Sequence, residues 1–147
     1  MYEHLLVPVD GSEISERAMD ASIELARKLK AAITGFVAEP DTSLPAVGRH
    51  PSVVVREMEQ AEAAAAAHAN AVLQRFGARA KAAGVTFHGH FVRTAQVDDA
   101  IVRAADEQHC DMIVMVTHGR GAFGELLFGS HTKNVLARSK LPLLVLH

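Results

Sequence analysis

The chain has 147 residues, 15 of them basic and 17 acidic, for a formal net charge of -2. That length suits one domain spanning 1–147 that buries a core without disulfide staples, and the balanced charge gives no footprint for nucleic acid and no polybasic patch for a membrane surface. Cys110 is the single cysteine, which excludes an intrachain disulfide and fits a reducing cytoplasm; standing just before an apolar run, it reads as a buried structural thiol.

Met1 to Pro8 lacks a basic leader region and has too short an apolar stretch for a secretory signal, so it reads as a first strand, Leu5-Leu6-Val7-Pro8-Val9. Pro8 has no N–H and belongs near that strand's end. Asp10-Gly11-Ser12 closes the strand, and Ile14, Ala18, Ala21, Leu25 and Leu29 then recur at helical spacing. Ser12 is placed to cap this helix, with Glu13 and Glu16 in its first turn and Lys28 and Lys30 in its last, charges that complement the helix dipole.

Ala32 to Ala38 reads as strand two, and the Pro/Gly/Asp-rich stretch from Glu39 to Pro51 as a mobile connection. A long helix is predicted from about Val53 to Ala83; its alanine run from Ala61 to Ala67 has helix-forming composition rather than membrane-spanning hydrophobicity. Gly77 marks a kink or a packing contact, and Glu57, Glu59 and Glu62 a solvated face. Gly84 ends the helix, Val85 to Val92 makes strand three, and Ala100, Ile101, Ala104 and Ala105 lie on helix three. His88 and His90 share one strand face, yet no third ligand stands near, which disfavours zinc.

Met112-Ile113-Val114-Met115-Val116 reads as buried strand four, followed by a glycine-rich stretch from Thr117 to Gly129 and a short helix from Ser130 to Arg138 with Val135 and Leu136 inward. Leu141 to Leu146 is the last strand. A strand, glycine loop and helix in succession is a phosphate-binding geometry: glycines let backbone N–H groups approach an anion, and the helix start adds unsatisfied donors and a positive dipole end. The loop is not a Walker motif, and it does not follow the first strand as a dinucleotide fingerprint should. The alternation of strands and helices indicates a doubly wound, mostly parallel α/β sheet, whose ligands sit beyond the strands' carboxyl ends where the strand order reverses.

Three blocks resemble the universal stress protein family over nearly the whole chain: Leu6-Val7-Pro8-Val9-Asp10-Gly11-Ser12, the stretch His118-Gly119-Arg120-Gly121 followed by Leu126-Leu127-Phe128-Gly129-Ser130, and Leu141-Pro142-Leu143-Leu144-Val145. Nucleotide-binding members of that family carry Gly-x-x-Gly, nine residues, then Gly-Ser/Thr. Gly119, the nine residues from Arg120 to Phe128, and Gly129-Ser130 match the second part, whereas the first glycine falls on Val116.

The resemblance implies a Rossmann-like five-stranded parallel sheet, order 3-2-1-4-5, with helices on both faces. It implies an adenine nucleotide, ATP or AMP among them, with Mg2+ or Mn2+ held by the phosphates. Pro8, Val9 and Asp10 would line base and ribose, and Val37 and Ala38 would offer backbone groups to adenine. Met115, Val116, His118 and Gly119 would border ribose and phosphates, and Gly129, Ser130, His131 and Thr132 would hold phosphates at a helix start. Arg120 would either neutralise a phosphate or be solvated. Each has a plainer reading beside it: Asp10 and Ser130 as caps, and His118, His131 and Thr132 as surface residues.

The function implied is that of a small cytoplasmic nucleotide-binding stress-response or regulatory protein, acting through conformational change or a protein partner and dimerising through its last strand. The alternative is an interaction module of the same fold that binds no nucleotide. No catalytic residue is assigned: there is no Walker lysine and no evident carboxylate pair for Mg2+, so any hydrolysis would be slow and incidental. A flavodoxin-like carrier lacks its phosphate loop after strand one, and a receiver domain its aspartate at the end of strand three, where Val92-Arg93-Thr94 stand.

Overall fold

The computed structural model describes residues 1–41, 45–116 and 130–147. Strands and helices alternate as β1 (His4–Pro8), α1 (Glu13–Leu29), β2 (Ala32–Pro40), α2 (Pro51–Ala82), β3 (Phe87–Thr94), α3 (Val97–Glu107), β4 (Met112–Val116), α4 (Ser130–Arg138) and β5 (Leu143–Leu146). The strands form one five-stranded parallel sheet in the order β3-β2-β1-β4-β5. This is the doubly wound Rossmann-like arrangement expected from the sequence.

Side chains alternate across each strand, so Leu5 and Val7 face one layer and Leu6 the other. On the first side α1 and α2 bury Met19, Ile23, Val72 and Phe76 against β1 and β2. On the second, α3 and α4 bury Ile101, Ala105 and Val135 against Leu6, Phe36 and Ile113. Strands buried on both faces must be apolar throughout, which is why β1 and β4 read as unbroken hydrophobic runs.

The first helix starts as its sequence dictates, with the Ser12 hydroxyl accepting the N–H of Ser15 at 3.3 Å. It ends at Leu29, so Lys30 is not in the last turn; it caps the helix in the left-handed region at φ 57, and Arg27 and Lys28 supply the terminal positive charge. The connection after β2 is shorter than expected, because Glu39 and Pro40 stay in the strand opposite Arg93 and Thr94. Residues 42–44 of that connection lie outside the described residues.

Pro51 opens α2 at a position where its missing N–H costs nothing, and the His50 ring accepts from Ser52 N–H at 3.2 Å. Gly77 proves to be a packing contact, since a Cβ there would come 3.0 Å from the Phe87 ring. Of the three acidic residues predicted as a solvated face, Glu59 and Glu62 are exposed while Glu57 pairs with Arg49. Strand three begins two residues later than predicted. Gly84 takes φ +75 and the Val85 N–H returns to the Ala80 carbonyl at 2.9 Å, so Val85 completes the helix's C-terminal turn.

In α4, Val135 is buried as predicted, but Leu136 is 63% exposed. The last strand starts at Leu143, two residues after the predicted start.

Candidate functional site

The chain leaves β1 in one direction to build β2 and β3 and in the other to build β4 and β5, so strand order reverses between β1 and β4. A crevice is expected beyond their carboxyl ends, and Pro8 explains how it opens. Backbone groups in a strand point alternately to its two neighbours. The Val9 N–H reaches the Phe36 carbonyl of β2 at 2.8 Å, and the His4 carbonyl accepts from Asp111 beside β4 at 2.9 Å. Pro8 is therefore turned to β4, where it has no proton to give. Paired residues between β1 and β4 accordingly stop at Leu6↔Ile113, whereas β1 stays paired with β2 through Pro8↔Phe36.

The same alternation turns Ala38 towards β1, beyond the point where β1 has ended. Phe36 serves Val9, and the next residue facing that way is Ala38; among the described residues neither its N–H nor its C=O has a hydrogen-bond partner. Among the described residues a donor and an acceptor without partners thus stand side by side at the end of the strand. Val37, between Phe36 and Ala38 in sequence, buries its side chain on the α2 side.

The β1–α1 turn is occupied with its own bonds. The Asp10 and Gly11 amides both donate to Ser15 Oγ, at 3.0 and 3.2 Å, and Asp10 Oδ1 accepts the Ser12 N–H at 2.9 Å. These donors are not free for a phosphate, but the Asp10 side chain remains exposed at the edge. Gly11 has φ +84, and a Cβ there would stand 2.9 Å from Val72 Cγ2, so the turn requires glycine.

On the β4 side of the switch point Met115 is buried among the α3-side core and Val116 is half-buried. Val116 pairs with Leu146 as a regular strand residue. Carrying the β1–β4 register forward sets Val9 level with Val116. His118, Gly119, Arg120 and Gly129 lie outside the described residues.

Ser130 is the first helical residue of α4, so it stands inside the helix rather than at its capping position. Ser130 and His131 are exposed and Thr132 is buried. The His131 ring is already engaged, its Nδ1 lying 2.5 Å from Asp98 Oδ1 in the first turn of α3; the other oxygen of Asp98 accepts from Asn134 at 2.7 Å. Asp98 therefore ties the two helix starts together and sets a carboxylate beside the N-terminus of α4.

Two polar features at this edge escaped the sequence reading. One is Asp98; the other is Glu39, buried at the end of β2 and paired with His68 of α2. Their only signal was a charged residue adjoining an apolar strand and a histidine interrupting an alanine run.

At the opposite edge, His4 Nε2 meets Thr34 Oγ1 at 2.7 Å, and its ring lies edge-on to His88 with centroids 6.0 Å apart. Burial, and then the neighbouring His88, hold its pKa below the ordinary imidazole value. Burial likewise pushes the Cys110 thiol up to about 11, against a hydrogen bond with Thr34, as befits a structural thiol. Among the described residues no group of three or more His, Cys, Asp or Glu side chains is placed to hold a metal ion, and no helix is long and apolar enough to cross a membrane.

A doubly wound parallel sheet whose strand order reverses between β1 and β4 defines a class of α/β folds in which ligands sit at the switch point. The chain belongs to the universal stress protein family, whose model matches residues 1–147. It is 26% identical over 148 residues to a universal stress protein of Methanocaldococcus jannaschii, covering 99% of this chain and 82% of that one. Among solved structures, a universal stress family protein from Burkholderia pseudomallei is 27% identical with a TM-score of 0.75, over 99% of this chain and 96% of the other. A universal stress protein crystallised in complex with cAMP is 30% identical with a TM-score of 0.71, over 99% and 97% of the two chains.

Proposed function

We propose that this universal stress protein binds an adenine nucleotide in the crevice between the ends of β1 and β4, and acts as one 147-residue cytoplasmic unit in a stress or regulatory response. The observation that carries the reading is the N–H and C=O of Ala38, unpartnered among the described residues and turned towards β1 where that strand has ended. That donor and acceptor match N1 and the exocyclic amine of adenine. The relative complexed with cAMP supports the same ligand class.

In this reading Val37 and Ala38 meet the base, Pro8 and Val9 floor the pocket, and the exposed Asp10 carboxylate faces the ribose hydroxyls. Met115 and Val116 border the sugar. Phosphates lie at the start of α4, at Ser130, His131 and Thr132, where unsatisfied N–H groups and the helix dipole favour anions. By sequence pattern alone His118, Gly119, Arg120 and Gly129 join them. Mg2+ or Mn2+, when present, would be held by the phosphates.

We assign no catalytic residue; the nucleotide changes conformation or partner binding, and a second copy of the chain pairs through β5. The rival reading, an interaction module without nucleotide, is favoured by one observation, the β-branched Val116 where binding members have glycine. Mass spectrometry of small molecules released from freshly purified protein separates the two. Stoichiometric ATP, ADP, AMP or cAMP is the expected result, and protein that is empty and also fails to bind added nucleotide contradicts it.

A further inference from the structure

A carboxylate buried at a strand end needs a partner, because desolvating it alone is costly. Glu39, the residue after Ala38, is 9% exposed and meets His68 Nδ1 of α2. The first buried residue of α2 is Ala69, so His68 stands where that helix leaves the sheet, level with the strand ends. A carboxylate only accepts, so the proton of this contact belongs to Nδ1, and the Nδ1–H tautomer carries its lone pair on Nε2.

That second nitrogen lies at the carboxyl end of β1, on the α2 side. A Cβ on Gly11 would come 3.4 Å from His68 Nε2, which places the acceptor against the turn that follows Asp10. Arg75 Nη2 approaches the same glycine, at 3.7 Å from that position, while Arg75 Nη1 pairs with Glu16 at 3.1 Å.

We infer that His68, oriented by Glu39, is a specificity-determining residue that accepts a hydrogen bond from the exocyclic amine of the base and so selects 6-aminopurines over 6-oxopurines. The inference rests on the nucleotide reading above. An adenine amine has two protons: the Ala38 carbonyl takes one and His68 Nε2 the other. Hypoxanthine and guanine carry an oxygen at that position, which sets acceptor against acceptor. A buried mismatch of that kind discriminates far better than a difference in apolar fit.

The test is calorimetric titration of ATP and of inosine triphosphate into the wild type, His68→Phe and Glu39→Gln at about pH 8. The wild type is expected to favour ATP by about tenfold or more, and His68→Phe to lose about five- to tenfold in ATP affinity with inosine triphosphate unchanged. Glu39→Gln, which frees the ring to turn, should shift the ratio the same way by less, and it decides the matter if His68→Phe does not fold. A folded variant pair that keeps the wild-type ratio overturns the inference and leaves nucleotide binding standing, as does a wild type that binds both nucleotides equally. A wild type that binds neither overturns both.

Discussion

Val9 gives its amide proton to the Phe36 carbonyl at 2.8 Å, and the residue before it, Pro8, has none to give to β4 on the other side. One imino acid thus keeps β1 joined to β2 while parting it from β4. Pro8→Ala restores the missing donor, lets the β1–β4 ladder lengthen and narrows the crevice. ATP affinity measured by calorimetry should fall about five- to thirtyfold, equivalent to about 1 to 2 kcal/mol. An unchanged affinity in the folded variant would show that the proline does not open the site.

Val116 completes β4 opposite Leu146 and packs against the α2-side core. If glycine in related binding proteins lets ribose and phosphates approach the backbone, the valine side chain holds them off. Val116→Gly should then tighten ATP binding about five- to thirtyfold, while costing about 1 kcal/mol of stability through lost packing and added unfolded-state freedom. Thermal melting and calorimetry read the two effects separately. Weaker or equal ATP affinity in a folded variant would show that valine is accommodated.

His4 makes stability depend on pH. Its pKa is lowered in the folded state from the ordinary 6.5, chiefly by burial and then by His88. Below 6.5 the unfolded chain therefore takes up the proton first, and stability is lost as pH falls through the folded-state pKa; above 6.5 this contribution is complete and constant. Urea titrations of the wild type and His4→Gln across that window should show a smaller acid loss in the variant. Parallel pH profiles would remove His4 from the account.

The β5 edge carries a dimer prediction. Among the described residues Leu143, Leu144 and Val145 pair with β4 alone, and each is half-buried. An apolar strand at the end of a sheet invites pairing with a second copy. Sedimentation at micromolar concentration should give a dimer for the wild type and a shift towards monomer for Val145→Asp. A monomeric wild type contradicts the proposal.

Much of this architecture was legible because its signals are local. Apolar runs marked the strands, Asp10-Gly11-Ser12 marked the cap, and Gly84 marked the end of α2. Boundaries slipped where a turn borrows an apolar residue: Val85 has a strand-like side chain, yet its N–H is spent on Ala80. Leu136 misled because its helix is covered on one side only, and helical spacing does not say which of two adjacent apolar residues faces the core. Glu39 and His68 were invisible as a pair, being 29 residues apart and joined only by where α2 docks. That the Ala38 backbone has no partner among the described residues was equally hidden, since it depends on β1 ending before β2 does.

The most direct test of the central claim is the amide spectrum of 15N-labelled protein titrated with ATP. Binding at the switch point predicts that the Ala38 N–H, unpartnered among the described residues, shifts strongly with Val9, Val116 and the start of α4. Amides at the far edge, such as Ala32 and Gly84, should stay in place. Saturating ATP that leaves Ala38 and Val116 unmoved, or that shifts only residues away from the β1–β4 crevice, would contradict the account.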